Sequence, residues 1–151
     1  MDHSRAGGTG LRAARLFGLL LAIAVLAGCG SGPPSTESVV RAWSQALNED
    51  DNNTAANLFA PNAKVVQGQS VLRLKTHQDA VDWNAALPCS GLITSIHSRG
   101  QIATATFRLA DRRNSRCDGP GKRVTAIFRV VDGKIVLWHQ TAREGPEGPT
   151  V

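Results

Sequence analysis

The sequence predicts an α+β domain in which helices come first and an antiparallel sheet follows. Three observations predict it. Apolar residues between positions 39 and 59 recur at three- and four-residue spacing. Thr76 stands three residues before Asp79 at the head of a further apolar stripe. Two β-rich stretches after residue 92 fold back at short glycine-containing loops.

The elements follow in chain order. Thr36 is the expected N-cap of a first helix whose buried stripe is Val39, Val40, Trp43, Ala46 and Leu47. The polar run Asn48-Glu49-Asp50-Asp51-Asn52-Asn53 ends it. Thr54 is expected to cap a short second helix carrying Ala55, Leu58 and Phe59, stopped by Pro61. A strand begins at 64–66, and another is expected at 71–74. Thr76 and Asp79 have the spacing of a capping box, with Asp in place of the usual Glu. They open a helix bearing Ala80, Trp83 and Leu87 that ends at Pro88. The remainder reads as β: 92–98 and 102–110 flank Arg99-Gly100-Gln101, and 123–131 and 134–141 flank Asp132-Gly133, a strong hairpin signal. A long loop, 111–122, joins the two hairpins. Residues 142–151, with two prolines and two glycines, read as a frayed tail.

The first 28 residues have a different character. Arg5, Arg12 and Arg15 stand against one acid, Asp2, and precede 11 residues, 16–26, without charge or proline. A spanning helix needs about 20. Leu26-Ala27-Gly28-Cys29 closes the run and reads as a lipobox, the site at which a bacterial lipoprotein is cleaved and its cysteine linked to diacylglycerol. The expected organisation is a signal peptide at 1–28, a Gly/Ser/Pro linker at 29–35, a domain at 36–141 and the tail at 142–151. The expected location is the extracytoplasmic face of the cell membrane, with two acyl chains on Cys29 giving stable attachment where one would not.

Removing residues 1–28 leaves 123 residues, and with three arginines and one aspartate gone the formal charge falls from +5 to +3. That is too mild to argue for nucleic acid. Arg112, Arg113, Arg116, Lys122 and Arg123 cluster around the long loop and read as solvated charge; leaning on anionic headgroups near the anchor is the alternative. Once Cys29 is lipidated, only Cys89 and Cys117 remain. In an oxidising compartment such a pair reads as a disulfide. Hairpin pairing supports it, because Cys89 falls opposite the start of the loop that holds Cys117. No Cys-x-x-Cys or His-x-x-x-His spacing is present, so neither a metal nor a cofactor is expected.

With these elements in order, three stretches resemble the nuclear transport factor 2-like superfamily in its SnoaL-like branch. They are 43–63, with Leu58-Phe59-Ala60-Pro61-Asn62-Ala63 at its end; Phe128-Arg129-Val130-Val131-Asp132-Gly133-Lys134-Ile135; and Trp138-His139-Gln140. The resemblance covers roughly 36–141. It implies a cone, a curved antiparallel sheet with helices in its concave side and an apolar pocket between them. It also implies a capacity to self-associate through the sheet. Relatives include isomerases, cyclases, epoxide hydrolases and non-catalytic binding domains, so the fold does not choose the function.

The residues discriminate among these activities. Ketosteroid isomerase-like chemistry resembles this fold and uses a tyrosine hydroxyl beside an aspartate base; this chain has no tyrosine. Epoxide hydrolase-like chemistry needs Asp-Arg-Asp around a water, yet the closing triplet here ends in Gln140 and the strand at 92–98 carries no acid. SnoaL-like cyclases use an aspartate with histidine support; here Asp79, Asp82 and His77 share one helix, and exposed helix polarity explains them. His97 reads as an exposed strand residue. The pocket candidates are Trp43, Trp83, Phe128, Trp138 and Gln140, with Trp138 and Gln140 inward by resemblance and His139 opposite, since strand side chains alternate.

Two registers stay open at the closing hairpin. A two-residue turn puts Thr125, Ile127 and Arg129 on the Trp138 face. A three-residue loop with a bulge puts Ala126, Phe128 and Val130 there, which is the more apolar arrangement. Arg108 or Arg129, if inward, would be an anion hook. The residues favour a non-catalytic domain that binds a small apolar ligand or a protein partner over the alternative, a SnoaL-like isomerase or cyclase.

Overall fold

The computed structural model describes residues 32–144, with side chains through Thr141. The leader, Cys29 and the last seven residues lie outside these residues, so the lipobox and signal-peptide readings stand as expectations.

Helix α1 spans Thr36–Asn48, and its cap lies one residue earlier than expected. The Ser35 hydroxyl accepts from the Ser38 N–H at 3.1 Å, while the Thr36 hydroxyl donates to the Gly100 carbonyl at 2.7 Å. Helix α2, Asn52–Asn57, is capped by Asp51 rather than Thr54: the Asp51 carboxylate accepts from the Thr54 N–H at 2.9 Å. Leu58 and Phe59 are not helical. Phe59 opens strand β1, Phe59–Gln67, because the Ile135 N–H claims the Leu58 carbonyl at 2.7 Å and Phe59 pairs with Ile135. Pro61 therefore sits in a strand. It falls where the register shifts before Lys64 and where Asn62 adopts φ 61°, and a residue without an N–H is tolerated at such an irregularity.

Strand β2, Ser70–Leu74, leads to α3, His77–Ala86, whose capping box is complete: Thr76 Oγ1 accepts from the Asp79 N–H, and the Asp79 carboxylate accepts from the Thr76 and Lys75 N–H groups. The Thr76 N–H above all holds the Asp79 carboxyl below its ordinary pKa, and the Thr54 side chain does the same for Asp51. A carboxyl lowered in the folded state stabilises at neutral pH, and that contribution is lost as pH falls through the lowered value.

Strands β3 (Ser90–Arg99), β4 (Ile102–Ala110), β5 (Arg123–Val131) and β6 (Lys134–Glu144) complete a sheet of order β2-β1-β6-β5-β4-β3. It departs from the expected all-antiparallel sheet at one place. β1 and β6 run parallel, so the sheet is mixed; every other pair is antiparallel. The sheet is curved and unclosed, with β2 and β3 as its edges. β6 continues three residues into the expected tail.

The turns settle the register. Arg99 pairs with Ile102, so the first hairpin loop is the two-residue Gly100-Gln101, with Gly100 at φ 57° as a type II′ turn requires. At the closing hairpin Val131 pairs with Lys134, and Asp132 and Gly133 both adopt positive φ, 49° and 74°, as in a type I′ turn. That is the tight turn of the first alternative. Val136 is then bulged out, and the slip reverses the faces beyond it, so Phe128 pairs with Trp138. A tight turn thus coexists with Ala126, Phe128 and Val130 on the inner face. The core lies between α1, α3 and this face. Fully buried alanines at 103, 105 and 126 leave depth for the aromatic rings.

Candidate ligand cavity

Helix α1 reaches across the open end of the sheet and is clamped there by polar side chains. Ser44 Oγ donates to the Gly91 carbonyl at 3.0 Å, and the Asn48 side-chain oxygen accepts from the Gly91 N–H at 3.1 Å. Gly91 has to be glycine, since a Cβ there would stand 2.9 Å from the Phe107 Cβ.

Behind this clamp lies a cavity of about 80 Å³. Trp43, Ser44 and Leu47 of α1 form its roof. The α3–β3 connection, residues 87–89, with the first two residues of β3, Ser90 and Gly91, forms one wall, which includes Cys89. Phe107, Leu109, Val124 and Trp138 form the floor. Gln67 and Gln140 stand at the rim, where Gln67 Nε2 donates to Gln140 Oε1 at 3.0 Å. That pairing leaves the Gln67 carbonyl oxygen and the Gln140 amide nitrogen without a bond among the described residues.

Two indoles dominate the interior, and they differ in one respect. Trp43 Nε1 donates to Asn84 Oδ1 at 2.9 Å, and the Asn84 amide in turn donates to the Ala80 carbonyl at 2.8 Å. Trp138 Nε1 is buried with no acceptor among the described residues. Its ring packs edge-to-face with that of Trp83, with centroids 5.1 Å apart. Replacing Trp43 with Phe is therefore expected to cost about 1–3 kcal/mol more than Trp138→Phe, because it strands a buried amide oxygen. Urea unfolding of the two variants checks the difference.

Trp43, Trp138 and Gln140 thus line the cavity, as does Cys89. Trp83 and Phe128 stand behind it: Phe128 packs on Trp43 with centroids 5.4 Å apart, and Trp83 on Trp138. His139, Arg108 and Arg129 belong to the outer face, so neither arginine is an anion hook. His97 is exposed. Asp79 is spent on its cap, and Asp82 accepts from Gln78 Nε2. His77 borders a separate hollow of about 220 Å³ beside α2, where Lys134 Nζ donates to the Asn57 carbonyl. Among the described residues, no ionisable side chain other than the bonded Cys89 lines the first cavity.

Cys89 and Cys117 are joined in a disulfide. The Asp118 carboxylate lies within 4.8 Å of both sulfurs, but the S–S bond consumes both thiolates that a metal would need. Arg112 differs from the expectation for its cluster. It is 5% exposed, not solvated. Its guanidinium donates to the Asp50 carboxylate, to Asn52 Oδ1 at 2.6 Å and to the carbonyls of Asn84 and Leu87 at 2.7 and 2.8 Å. Sequence reasoning missed Arg112, Asn84 and Ser44. Only Asn84 left a signal, four residues after Ala80 on the same helix face.

No protein-family model matches the chain, and no curated protein matches it. Solved structures do. A nuclear transport factor 2-like protein from Cytophaga hutchinsonii superposes with a TM-score of 0.61 at 11% identity, over 74% of this chain and 92% of that one. A candidate polyketide cyclase from Sinorhizobium meliloti gives 0.56 at 16% identity, over 72% and 100%. A candidate ketosteroid isomerase from Kribbella flavida gives 0.55 at 21% identity, over 75% and 83%. The chain therefore has the nuclear transport factor 2-like fold, and at these identities the likeness shows the fold alone.

Proposed function

We propose that this protein is a membrane-anchored lipoprotein of the cell envelope whose cavity binds a small, neutral, apolar molecule bearing one polar handle. The carrying observation is the cavity lining, which is aromatic and aliphatic, with the disulfide-bonded Cys89, two serine hydroxyls already bonded to backbone carbonyls, amides at the rim and no ionisable side chain among the described residues. Such a site favours an uncharged ligand, since burying a charge there would have no partner to offset desolvation. The free Gln67 oxygen and Gln140 nitrogen offer the handle an acceptor and a donor. The Trp138 N–H, without an acceptor among the described residues, is a second donor that a ligand carbonyl would satisfy. The anchor reading rests on Leu26-Ala27-Gly28-Cys29, and the disulfide fits an exported domain.

A second reading, an isomerase or cyclase, is favoured by the names that two of the fold's neighbours carry. It requires a proton-transfer group that the cavity lining lacks.

One titration separates them. All three tryptophans belong to the cluster around the cavity and the chain has no tyrosine, so intrinsic emission reports on the site. Cyclohexanone is expected to change that emission saturably. Leu109→Phe, which fills the cavity, is expected to weaken binding at least about tenfold, the equivalent of ~1.4 kcal/mol. Trp138→Phe should weaken the ketone more than cyclohexane. Unsaturable emission, or indifference to Leu109→Phe, overturns the binding reading. Isomerisation of a β,γ-unsaturated ketone, abolished by the same Leu109 change, would establish the enzyme instead.

A further inference from the structure

We propose that the outer, convex face of the sheet docks on an anionic phospholipid surface. Charge in this domain is segregated by element. The six strands contain a single acid, Glu144 at the very end of β6, while the other acids of the described residues lie on helices, loops and turns. Five strand cations, Lys64, Arg73, Arg99, Arg108 and Arg129, stand exposed on the outer face. One registered row crosses the whole sheet: Arg73, Lys64, Leu137, Arg129, Ile102 and Arg99, from edge β2 to edge β3. Its four cations are all exposed. Arg108 stands beside Leu92 farther along the same face.

None of Lys64, Arg73, Arg99, Arg108 and Arg129 meets a carboxylate among the described residues. Arg129 reaches only the Gln101 side-chain oxygen, and Arg73 only the Asn62 carbonyl. Aliphatic side chains lie between them: Val71 is 59% exposed, Leu92 52% and Ile102 41%, all on this face. Cations interspersed with exposed aliphatics suit a headgroup layer, where the charges meet lipid phosphates and the aliphatics enter the interface. Among the described residues the face carries no tryptophan, tyrosine or phenylalanine on which bases could stack, and its rings are the imidazoles of His97 and His139. A second copy laid face to face would set cation rows against each other, which is repulsive.

Chain geometry agrees. The domain's N-terminus enters beside this row, where Thr36 bonds to Gly100 and Pro34 packs on Gly133. The six residue-to-residue steps from Cys29 to Ser35 span at most about 22 Å. This short reach bears on docking only if Cys29 is the anchor; the segregated charge does not depend on it.

The test uses the exported chain mixed with vesicles of phosphatidylcholine alone or of equimolar phosphatidylcholine and phosphatidylglycerol. An amine-reactive, membrane-impermeant reagent reads Lys64 on the face and exposed Lys75 on the β2–α3 connection, by peptide mapping. Lys64 is expected to be protected on anionic vesicles only, with protection lost in high salt, while Lys75 stays reactive. Arg99→Gln with Arg129→Gln should lower partitioning about 25-fold, at roughly fivefold per cation, and restore Lys64 labelling. Arg113→Gln with Arg116→Gln, on the loop, should leave protection unchanged. Equal protection on neutral vesicles, protection that survives the sheet pair, or equal loss from the loop pair overturns the proposal. Flotation with neutral vesicles reports the anchor alone, so its failure is separable.

Discussion

Arg112→Met is expected to destabilise the domain by about 3–5 kcal/mol, the largest effect of any single substitution considered for it. The guanidinium is the hub of three separate segments. It neutralises Asp50 in the α1–α2 turn, bonds Asn52 at the start of α2, and satisfies the carbonyls of Asn84 and Leu87 where α3 ends. Methionine fills much of the same volume but leaves those acceptors dry. The side chain of Asp50 is only 15% exposed, and the carboxylate accepts from the Asn114 N–H as well, so it cannot simply swing out to water. Asp50 also sits at φ 59°, a conformation asparagine tolerates, so Asp50→Asn removes the charge without backbone strain. The double variant should then be less unstable than the two single costs added together, because the second change relieves an unpaired charge. Urea midpoints of the four proteins measure this. A single-variant cost below about 1 kcal/mol would mean that the site is wet and the hub unimportant.

That hub was invisible in the sequence for a physical reason. Arg112 and Arg113 are neighbours of one type in one polar loop, and only partners about 25 to 62 residues away decide which is buried. Features set within one element were legible. The Thr76–Asp79 capping box, the Asp132-Gly133 turn and the stripe of α1 all follow from spacing a few residues long. Where two local solutions competed, tertiary contacts chose. Ser35 rather than Thr36 caps α1 because the Thr36 hydroxyl is drawn to Gly100, and Phe59 leaves the helix because Ile135 offers a strand partner. The closing hairpin shows the limit best. Turn chemistry dictated a two-residue loop, apolar burial demanded the opposite faces, and the bulge at Val136 satisfied both. Of the cavity, the indoles and Gln140 were readable as candidates. Their sorting into lining and backing was not, since it depends on where α1 crosses the sheet.

Breaking the Cys89–Cys117 bond is expected to be the second large effect, about 3–4 kcal/mol on the chain-entropy account for residues 28 apart. For a domain of this size that lowers Tm by roughly 10–15 °C. The native loop has a second tether, because Arg112 holds its beginning, so Cys89→Ser with Cys117→Ser should leave the folded loop in place while the unfolded chain gains freedom. Near-UV circular dichroism should then be preserved at low temperature even as Tm falls. The cavity adds a sharper expectation. Cys89 lies in the wall formed by 87–91, braced from outside by the disulfide and by the Arg112 bond to the Leu87 carbonyl. With one brace gone, cyclohexanone should bind more weakly in the serine variant. With both gone, in Arg112→Met carrying the serine changes, the wall loses its outer support, and binding should disappear before the fold does. An unchanged Tm on reduction would contradict the staple. Unchanged binding in the triple variant would show that the wall stands without its braces.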